Sequence, residues 1–227
     1  LGAVEDAVAE AFRHGRGVPY SAYPRFHDVT AEDSGQTALA GLYDHIIPAA
    51  TGLLGRLERG IDVVDVGCGA GLVLISLAER FPNSRFTGLD LSREMTTRAN
   101  TRATQLQLGN LRFVECDLST WNASRQYDLA TAFDAIHDQG RPDLVLAHIR
   151  RALRPGGTFL MQDIKASSDV ALNRDLPLSP FVYTISCMHC MSVSLAQGGM
   201  GLGAAWGREL ALSMLRDAGF DQTEVKE

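Results

Sequence analysis

Glycines and carboxylates that could bind a nucleoside follow three strand-like segments of the sequence. The first segment leads into Asp65-Val66-Gly67-Cys68-Gly69-Ala70-Gly71, the second ends at Asp90-Leu91, and the third is followed by Asp117-Leu118. Glycines let a backbone approach a ligand closely, and the amides of a helix N-terminus then point at that ligand. Asp90 can accept hydrogen bonds from both hydroxyls of a ribose, and Asp117 from an exocyclic amine such as that of adenine. The pattern predicts an adenosine pocket without a phosphate cradle.

The elements that must position these residues alternate between strand-like and helix-like patterns from about residue 61 onward. Helical patterns follow Gly71, Ser92 and Pro142, and a last one covers Arg208 to Ala218. Such alternation predicts an α/β fold with a doubly wound, mostly parallel sheet, in which ligands bind at the carboxyl ends of the strands. The five predicted strands are Ile61–Val66, Arg85–Leu89, Leu111–Glu115, Tyr127–Phe133 and Thr158–Asp163, and TEVKE at the end of the chain is strand-like as well.

The alternation of strand-like and helix-like patterns does not extend to either flank of this region. Residues 1–58 are predicted to form an N-terminal helical flap or linker, and residues 59–227 the sheet domain, with a lid inserted after strand five at about 164–207. Apolar spacing predicts two helices in the flap, one from Val4, Val8 and Phe12, the other from Leu39, Leu42 and Ile46 with Pro48 as its end. Three flap residues could close over a bound cofactor: Tyr20, Tyr23 and His27.

Composition excludes several classes of protein. The chain has 227 residues, a formal net charge of −6 and 45% hydrophobic residues, which is ordinary for a globular protein and unlike a disordered or fibrous one. It lacks the overall positive field of a non-specific nucleic-acid or anionic-membrane binder. No stretch reaches the roughly 18 uninterrupted apolar residues of a membrane-spanning helix. The four cysteines, with no secretory signal before them, favour reduced thiols and a cytoplasmic location.

The spacing of the glycines separates two kinds of cofactor site. A dinucleotide fingerprint needs Gly-x-Gly-x-x-Gly or Ala, but Leu72 or Leu74 would stand at its third position. The Gly-x-Gly-x-Gly spacing, with Asp65 two residues before Gly67, resembles motif I of class I S-adenosylmethionine-dependent methyltransferases instead. The resemblance extends through Asp90, Asp117, the FDAIHD segment and LRPGGTFLMQD. It implies a Rossmann-like class I fold, S-adenosylmethionine as the cofactor and S-adenosylhomocysteine as its product.

The resemblance also assigns parts of the cofactor to residues of this chain. Asp90 and Leu91 would contact the ribose and adenine, Asp117 and Leu118 the adenine edge, and the carbonyl of Phe133 the methionine amine. The residues that would border the methionine moiety are Asp65, Gly67, Gly69 and Gly71.

Three further segments resemble a narrower group. GVPYSAYPRFH, FDAIHDQ and YTISCMHCMSVSLAQGGMGLGAAWGRE are similar to a bacterial, mycobacterial-type subgroup whose longer members carry a winged-helix-like domain ahead of the catalytic domain. The class I fold has seven strands, and this sequence stops near the sixth. The chain is therefore expected to be truncated at both ends.

The acceptor of the methyl group is expected to be a small molecule, methylated at oxygen, nitrogen or carbon. The fourth strand is not followed by the Pro-Pro-Tyr/Phe or Pro-Cys sequences of DNA methyltransferases, nor by the paired glutamates of protein arginine methyltransferases. His137, after strand four, is a candidate base or acceptor-orienting group, with Asp138 as the residue that fixes its tautomer. His189 in the lid is the second candidate base.

Three alternatives remain open from the sequence. Cys187 and Cys190 could bind a soft ion such as arsenite or zinc, although one C-x-x-C pair does not complete a zinc site and no metal site is expected. A cofactor-binding regulatory protein without efficient turnover would share the adenosine pocket, and a nicotinamide oxidoreductase is disfavoured by the glycine spacing. No nucleic-acid or membrane partner is expected for this domain, while a homodimer is compatible with the sequence.

Overall fold

A computed structural model describes residues 1–25, 28–29, 31–32 and 35–226. The chain divides into two compact units, each built from several segments. The sheet unit comprises residues 27–133 and 148–162, and the helical unit residues 1–26, 134–147 and 163–227. His27, which the sequence placed in the flap, lies outside the described residues. Among the described helices, none combines the length and the hydrophobicity that crossing a membrane requires.

Five strands form one sheet in the order β3-β2-β1-β4-β5, and every neighbouring pair is parallel. This confirms the predicted α/β class with a doubly wound, Rossmann-like sheet. The strands β3 and β4 have the predicted bounds, whereas β5 begins five residues earlier than expected, at Leu153. The strands are β1 (Asp62–Val66), β2 (Arg85–Asp90), β3 (Leu111–Glu115), β4 (Tyr127–Phe133) and β5 (Leu153–Gln162).

Helices connect these strands because their apolar residues recur at the helical period. Helix α3 (Leu72–Arg80) buries Val73, Leu74 and Leu77 among its core residues. The central strand β1 is covered on both faces, so Val63, Val64 and Val66 are fully buried. Burying one such side chain contributes about 1.5 to 3 kcal/mol to folding. The helices of the sheet unit are α2 (Leu53–Arg59), α3 (Leu72–Arg80) and α4 (Arg93–Gln105), and α5 (Pro142–Ala152) has residues in both units.

An asparagine fastens α4 to the outer strand β3. The side-chain oxygen of Asn100 accepts from the backbone N–H of Phe113 at 3.0 Å, and its side-chain nitrogen donates to the carbonyl of Phe113 at 2.8 Å. Both backbone groups of one strand residue are therefore satisfied by a single side chain. This contact fixes the position of β3, which leads to Asp117 and Leu118.

The helical unit joins the N-terminal segment to the region after β5. Val4, Val8, Val18 and Val193 belong to one apolar core. The backbone N–H of Val18 lies 2.9 Å from Ser192 Oγ and 3.1 Å from the Ser192 carbonyl oxygen, so the N-terminal segment is held directly to α7. The elements are α1 (Glu5–His14), α6 (Ser179–Ile185), a π-helical turn at Ser186–Cys190, α7 (Met191–Ala196) and α8 (Arg208–Asp217).

Three expectations about the flanks were wrong in detail. Phe12 is exposed and Ala11 is buried in its place, because residues 4, 8 and 11 share one face of α1. Pro48 lies in the first turn of the short helix Ile47–Ala49, where its missing N–H is not needed, rather than ending a helix. Residues 220–226, including most of TEVKE, are irregular.

Candidate active site

The loop after β1 and the end of β2 are tied together by one carboxylate. The backbone N–H of Gly69 donates to Asp90 Oδ2 at 2.8 Å, and the N–H of Ser92 donates to Asp90 Oδ1 at 2.8 Å. The carbonyl of Leu89 accepts from Gly67 and Cys68 in the same loop, at 2.8 and 3.1 Å. Asp90 is thus held at the carboxyl ends of β1 and β2, where a Rossmann-like sheet binds its ligand.

The glycines of this loop serve two different purposes. Gly67, Gly69 and Gly71 have φ of 72°, 51° and 72°, which side chains rarely adopt. A Cβ on Gly69 would meet no atom within 4 Å, so this backbone faces open space that a ligand could fill. A Cβ on Gly71 would lie 2.3 Å from the ring of Phe113. Gly71 therefore permits close packing of α3 on β3, and its proximity to a cofactor remains an expectation.

This difference predicts unequal effects of adding one methyl group. Gly69→Ala should cost only the strain of a left-handed backbone, about 1 to 2 kcal/mol. Gly71→Ala should cost about 1 to 3 kcal/mol more, because Phe113 is also confined by Gly88 and cannot turn away. Urea unfolding of both variants measures the difference. Phe113→Leu should partly rescue Gly71→Ala, and equal losses in the two single variants would contradict this packing.

Asp65 lies on the buried strand β1 beside Thr131 on β4, with which it is in register. Thr131 Oγ1 donates to Asp65 Oδ1 at 2.7 Å. Burial raises the pKa of Asp65 to about 7, against the opposing effect of the bond from Thr131, and the charge of Asp90 raises it further. Burial likewise raises the pKa of the Cys68 thiol well above its usual value, so Cys68 is not a thiolate.

The remaining predicted cofactor residues line the ends of β2, β3 and β4. Asp117 is exposed and accepts from the backbone N–H and the hydroxyl of Ser119, at 2.9 and 2.7 Å, which shapes the turn after β3. Leu118 is buried, and its carbonyl oxygen lies 2.9 Å from His148 Nδ1. Leu91 is 53% exposed, and Phe133 ends β4 half-buried. These residues lie at or just after the carboxyl ends of their strands, on the same edge of the sheet as Asp90.

The helical unit contains a cluster of ionisable side chains of its own. His137, His189 and Cys190 are buried there, beside the partly buried Asp138 and Asp163. His137 Nδ1 donates to Asp163 Oδ1 at 2.9 Å, while its Nε2 lies 3.5 Å from Asp138 Oδ1. The sequence predicted that Asp138 fixes the tautomer of His137. In the structure Asp163 is the residue that accepts from His137 Nδ1 and fixes the tautomer. His189 Nδ1 is 3.9 Å from Asp138 Oδ2, beyond hydrogen-bond distance.

The surroundings shift the pKa values of His137 and His189 in opposite directions. Burial opposes a charge on His137, but the bond to Asp163, the contact with Cys190 and the charges of Asp163 and Asp138 raise its pKa well above 6.5. Burial lowers the pKa of His189; Asp138 opposes this effect, and the charge on His137 adds to it. Burial also raises the pKa of Cys190 to about 11. These opposite shifts favour the charged imidazolium at His137 and the neutral imidazole at His189.

Two tyrosines of the N-terminal segment pack on His189. The ring centroids of Tyr20 and Tyr23 lie 5.6 and 4.9 Å from that of His189, both in edge-to-face arrangements. Tyr23 also donates its hydroxyl proton to the carbonyl of Met188 at 2.6 Å. The predicted flap residues Tyr20 and Tyr23 thus lie beside a predicted catalytic histidine, within one unit.

Sequence reasoning missed two residues of these clusters. Thr131 is a polar residue in a buried strand, and its register with Asp65 depends on strand order. Asp163 follows β5 directly. Its place at the carboxyl end of a parallel strand, where such sheets bind ligands, is the signal that could have identified it.

A parallel sheet with a glycine turn after its first strand and an acidic residue closing the second defines a Rossmann-like nucleoside-binding α/β protein. A family model described as a methyltransferase domain matches residues 57–219, and the chain belongs to this family. It is 39% identical over 114 residues to the trans-aconitate 2-methyltransferase of Deinococcus radiodurans, covering 49% of this chain and 41% of that protein.

A plant enzyme and a solved structure share less sequence identity with this chain. The (S)-coclaurine N-methyltransferase of Papaver somniferum is 24% identical over 152 residues, which cover 67% of this chain and 41% of that one. The chain spans less than half the length of these curated relatives. In fold, it resembles the candidate O-methyltransferase of Nostoc punctiforme, with a TM-score of 0.68 and 19% identity over 96% of this chain and 61% of that one.

Proposed function

We propose that the protein transfers the methyl group of S-adenosylmethionine to a small-molecule acceptor. The observation that carries the proposal is the Asp90 carboxylate, held by backbone amides of Gly69 and Ser92 at the end of β2. Membership of the methyltransferase domain family and the match to trans-aconitate 2-methyltransferases support it. S-adenosylmethionine supplies, when bound, a methyl group activated by a sulfonium.

The residues of the sheet unit fit an adenosine ligand. Each oxygen of Asp90 accepts one backbone hydrogen bond and has a further lone pair for a ribose hydroxyl. The open space beyond Gly69 can accommodate the methionine portion, beside Asp65, Gly67 and Gly71. The adenine would be held by Leu91, Asp117 and Leu118, and the methionine amine by the carbonyl of Phe133.

Residues of the helical unit would bind and activate the methyl acceptor. A methyl transfer from a sulfonium needs mainly positioning and exclusion of water, together with a base when the acceptor is protonated. His189 is the candidate base, buried between the rings of Tyr20 and Tyr23. His137, fixed by Asp163, would orient the acceptor.

The narrower assignments rest on the sequence patterns and on the resemblance. Similarity of GVPYSAYPRFH and of residues 183–209 to the mycobacterial-type subgroup supports membership of that subgroup. Its longer members carry a winged-helix-like domain ahead of the catalytic domain. The division into an N-terminal flap over residues 1–58 and a methyltransferase domain over 59–227, a cytoplasmic location, a homodimer and the absence of a nucleic-acid partner belong to the same proposal.

Calorimetric titration with S-adenosylhomocysteine and with NADH tests the cofactor. We expect micromolar binding of S-adenosylhomocysteine and none of NADH, since the loop lacks the dinucleotide spacing. Binding of NADH alone by folded protein would overturn the proposal in favour of an oxidoreductase.

Turnover separates an enzyme from a cofactor-binding regulator. We expect S-adenosylhomocysteine to form when the protein is offered a panel of small carboxylic acids, phenols and amines. His189→Ala should abolish this turnover and leave cofactor affinity unchanged, with the exposed His14→Ala as the matched control. Tight cofactor binding without turnover on any acceptor would support the regulator.

A further inference from the structure

One group of side chains in the helical unit has the composition and spacing of a metal site. The ligand atoms of His137, Asp138 and Cys190 all lie within 4.8 Å of one another. A tetrahedral zinc ion with bonds of 2.0 to 2.3 Å holds its ligand atoms about 3.3 to 3.8 Å apart, so small rotations of the three side chains would close the site. From the sequence alone no metal site is expected, and Cys187 with Cys190 is the pair that could bind a soft ion.

The orientation of His137 is the one that a metal ligand needs. Its Nδ1–H is held by Asp163 Oδ1 at 2.9 Å, and Asp163 Oδ1 also accepts from the N–H of Ile164 at 2.8 Å. This contact directs Nε2 towards Asp138 and Cys190. A histidine that ligates a metal commonly donates its other ring N–H to a carboxylate in this manner.

Unsatisfied carboxylate oxygens are a second, independent observation. Asp138 Oδ1, which faces His137 Nε2, is buried and accepts no hydrogen bond, and the same holds for Asp163 Oδ2. The side chain of Asp163 is 9% exposed. A buried carboxylate oxygen without a partner is costly, and two carboxylates here share a cluster with imidazoles and a thiol. A divalent cation bound by Asp138 would satisfy its Oδ1 and balance the negative charge of the carboxylates.

The local backbone brings Cys190 to this place. Cys190 ends the π-helical turn Ser186–Cys190, whose residues Ser186, His189 and Cys190 are buried. Such turns are rare and occur often at functional sites. Cys187, in the same turn, is not part of the group.

We propose that His137 Nε2, Asp138 and Cys190 Sγ bind a divalent ion of borderline softness, Zn²⁺ or Co²⁺. A nitrogen, an oxygen and a sulfur ligand suit these ions and not Mg²⁺ or Ca²⁺. Binding displaces the protons of His137 Nε2 and the Cys190 thiol to solvent. Three protein ligands leave the fourth position of a tetrahedral ion open to water or to an oxygen or sulfur atom of a ligand. His189 is then the one imidazole of the cluster outside the coordination sphere.

Titration of chelator-treated protein with Co²⁺ tests the site without any assay of activity. We expect one equivalent to bind and to give a thiolate-to-cobalt charge-transfer band, which Zn²⁺ removes by competition and Mg²⁺ does not. Cys190→Ser should abolish the band, and Asp138→Asn should weaken Co²⁺ binding at least tenfold. Cys187→Ser, three residues before Cys190 and outside the group, is the matched control and should keep the band.

Folded wild-type protein that gives no thiolate band at stoichiometric Co²⁺ would overturn the proposal, as would a band that survives Cys190→Ser. Circular dichroism checks the fold of each variant, and a rise in the Tm of the wild-type protein with Zn²⁺ provides a measurement independent of the variants. Because Cys190 is not one of the proposed cofactor residues, we expect Cys190→Ser to bind S-adenosylhomocysteine normally. A failure of the proposed metal site and a failure of the proposed cofactor site can therefore be told apart.

Discussion

Asp90→Ala is expected to weaken S-adenosylhomocysteine binding by about 100-fold or more. Two hydrogen bonds from ribose hydroxyls to a carboxylate contribute about 1.5 to 3 kcal/mol each, and a factor of ten corresponds to about 1.4 kcal/mol. The same substitution frees the backbone amides of Gly69 and Ser92, so the loop after β1 also loses its anchor. Calorimetric titration of the variant measures the effect.

Ser92→Ala is the matched control for this variant. It keeps the backbone N–H from which Asp90 accepts, and it removes the side-chain cap on the N–H of Met95, at 3.3 Å. We expect a loss of about 1 kcal/mol in the free energy of unfolding and an almost unchanged affinity. An Asp90→Ala protein that is folded and still binds S-adenosylhomocysteine like the wild type would remove Asp90 from the site.

Asp65→Asn is expected to stabilise the protein above pH 7 by about 4 kcal/mol. The folded pKa of Asp65 is about 7 and its ordinary value is 3.8, with about 1.4 kcal/mol for each tenfold difference. Between these values the folded state holds a proton that the unfolded state has lost. The free energy of unfolding of the wild-type protein therefore falls as the pH rises from about 4 to 7.

Urea unfolding at a series of pH values measures this effect. Asparagine keeps the size of the side chain and the oxygen that accepts from Thr131, so the difference between the two proteins should be small near pH 4 and largest above pH 7. Thr131→Val removes a bond that favours the charged form, and should extend the decline to higher pH. Parallel profiles for the wild type and Asp65→Asn would show that Asp65 is ionised in the fold at the same pH as in the unfolded chain.

The sequence predicted the central strands well because both faces of the sheet are buried. The run Ile61–Val66 is β-branched and bounded by glycines, and the predicted bounds of β1 to β4 agree with the structure to within a residue at each end. The start of β5 depended on tertiary pairing instead. Tyr127 of β4 pairs with Leu153, and the ladder resumes after a register shift, so the strand continues through the Pro155-Gly156-Gly157 segment that reads as a turn.

The candidate sites show the same division between local and long-range information. Asp90 could be predicted from its place at the end of a strand. The partner of His137 could not, because the neighbour in sequence, Asp138, is further from the ring than Asp163, which lies 26 residues away. The grouping of Cys190 with His137 likewise depends on how the chain folds after β5, which no local pattern encodes.

The amide of Asn100 has a consequence for the behaviour of the protein at high concentration. β3 is an outer strand, and the free N–H and carbonyl groups along such a strand can template a strand from another molecule. At Phe113, in the middle of β3, Asn100 occupies both groups. An incoming strand would find its ladder interrupted at that residue. The side chain that holds α4 in place therefore also protects this edge of the sheet against edge-to-edge aggregation.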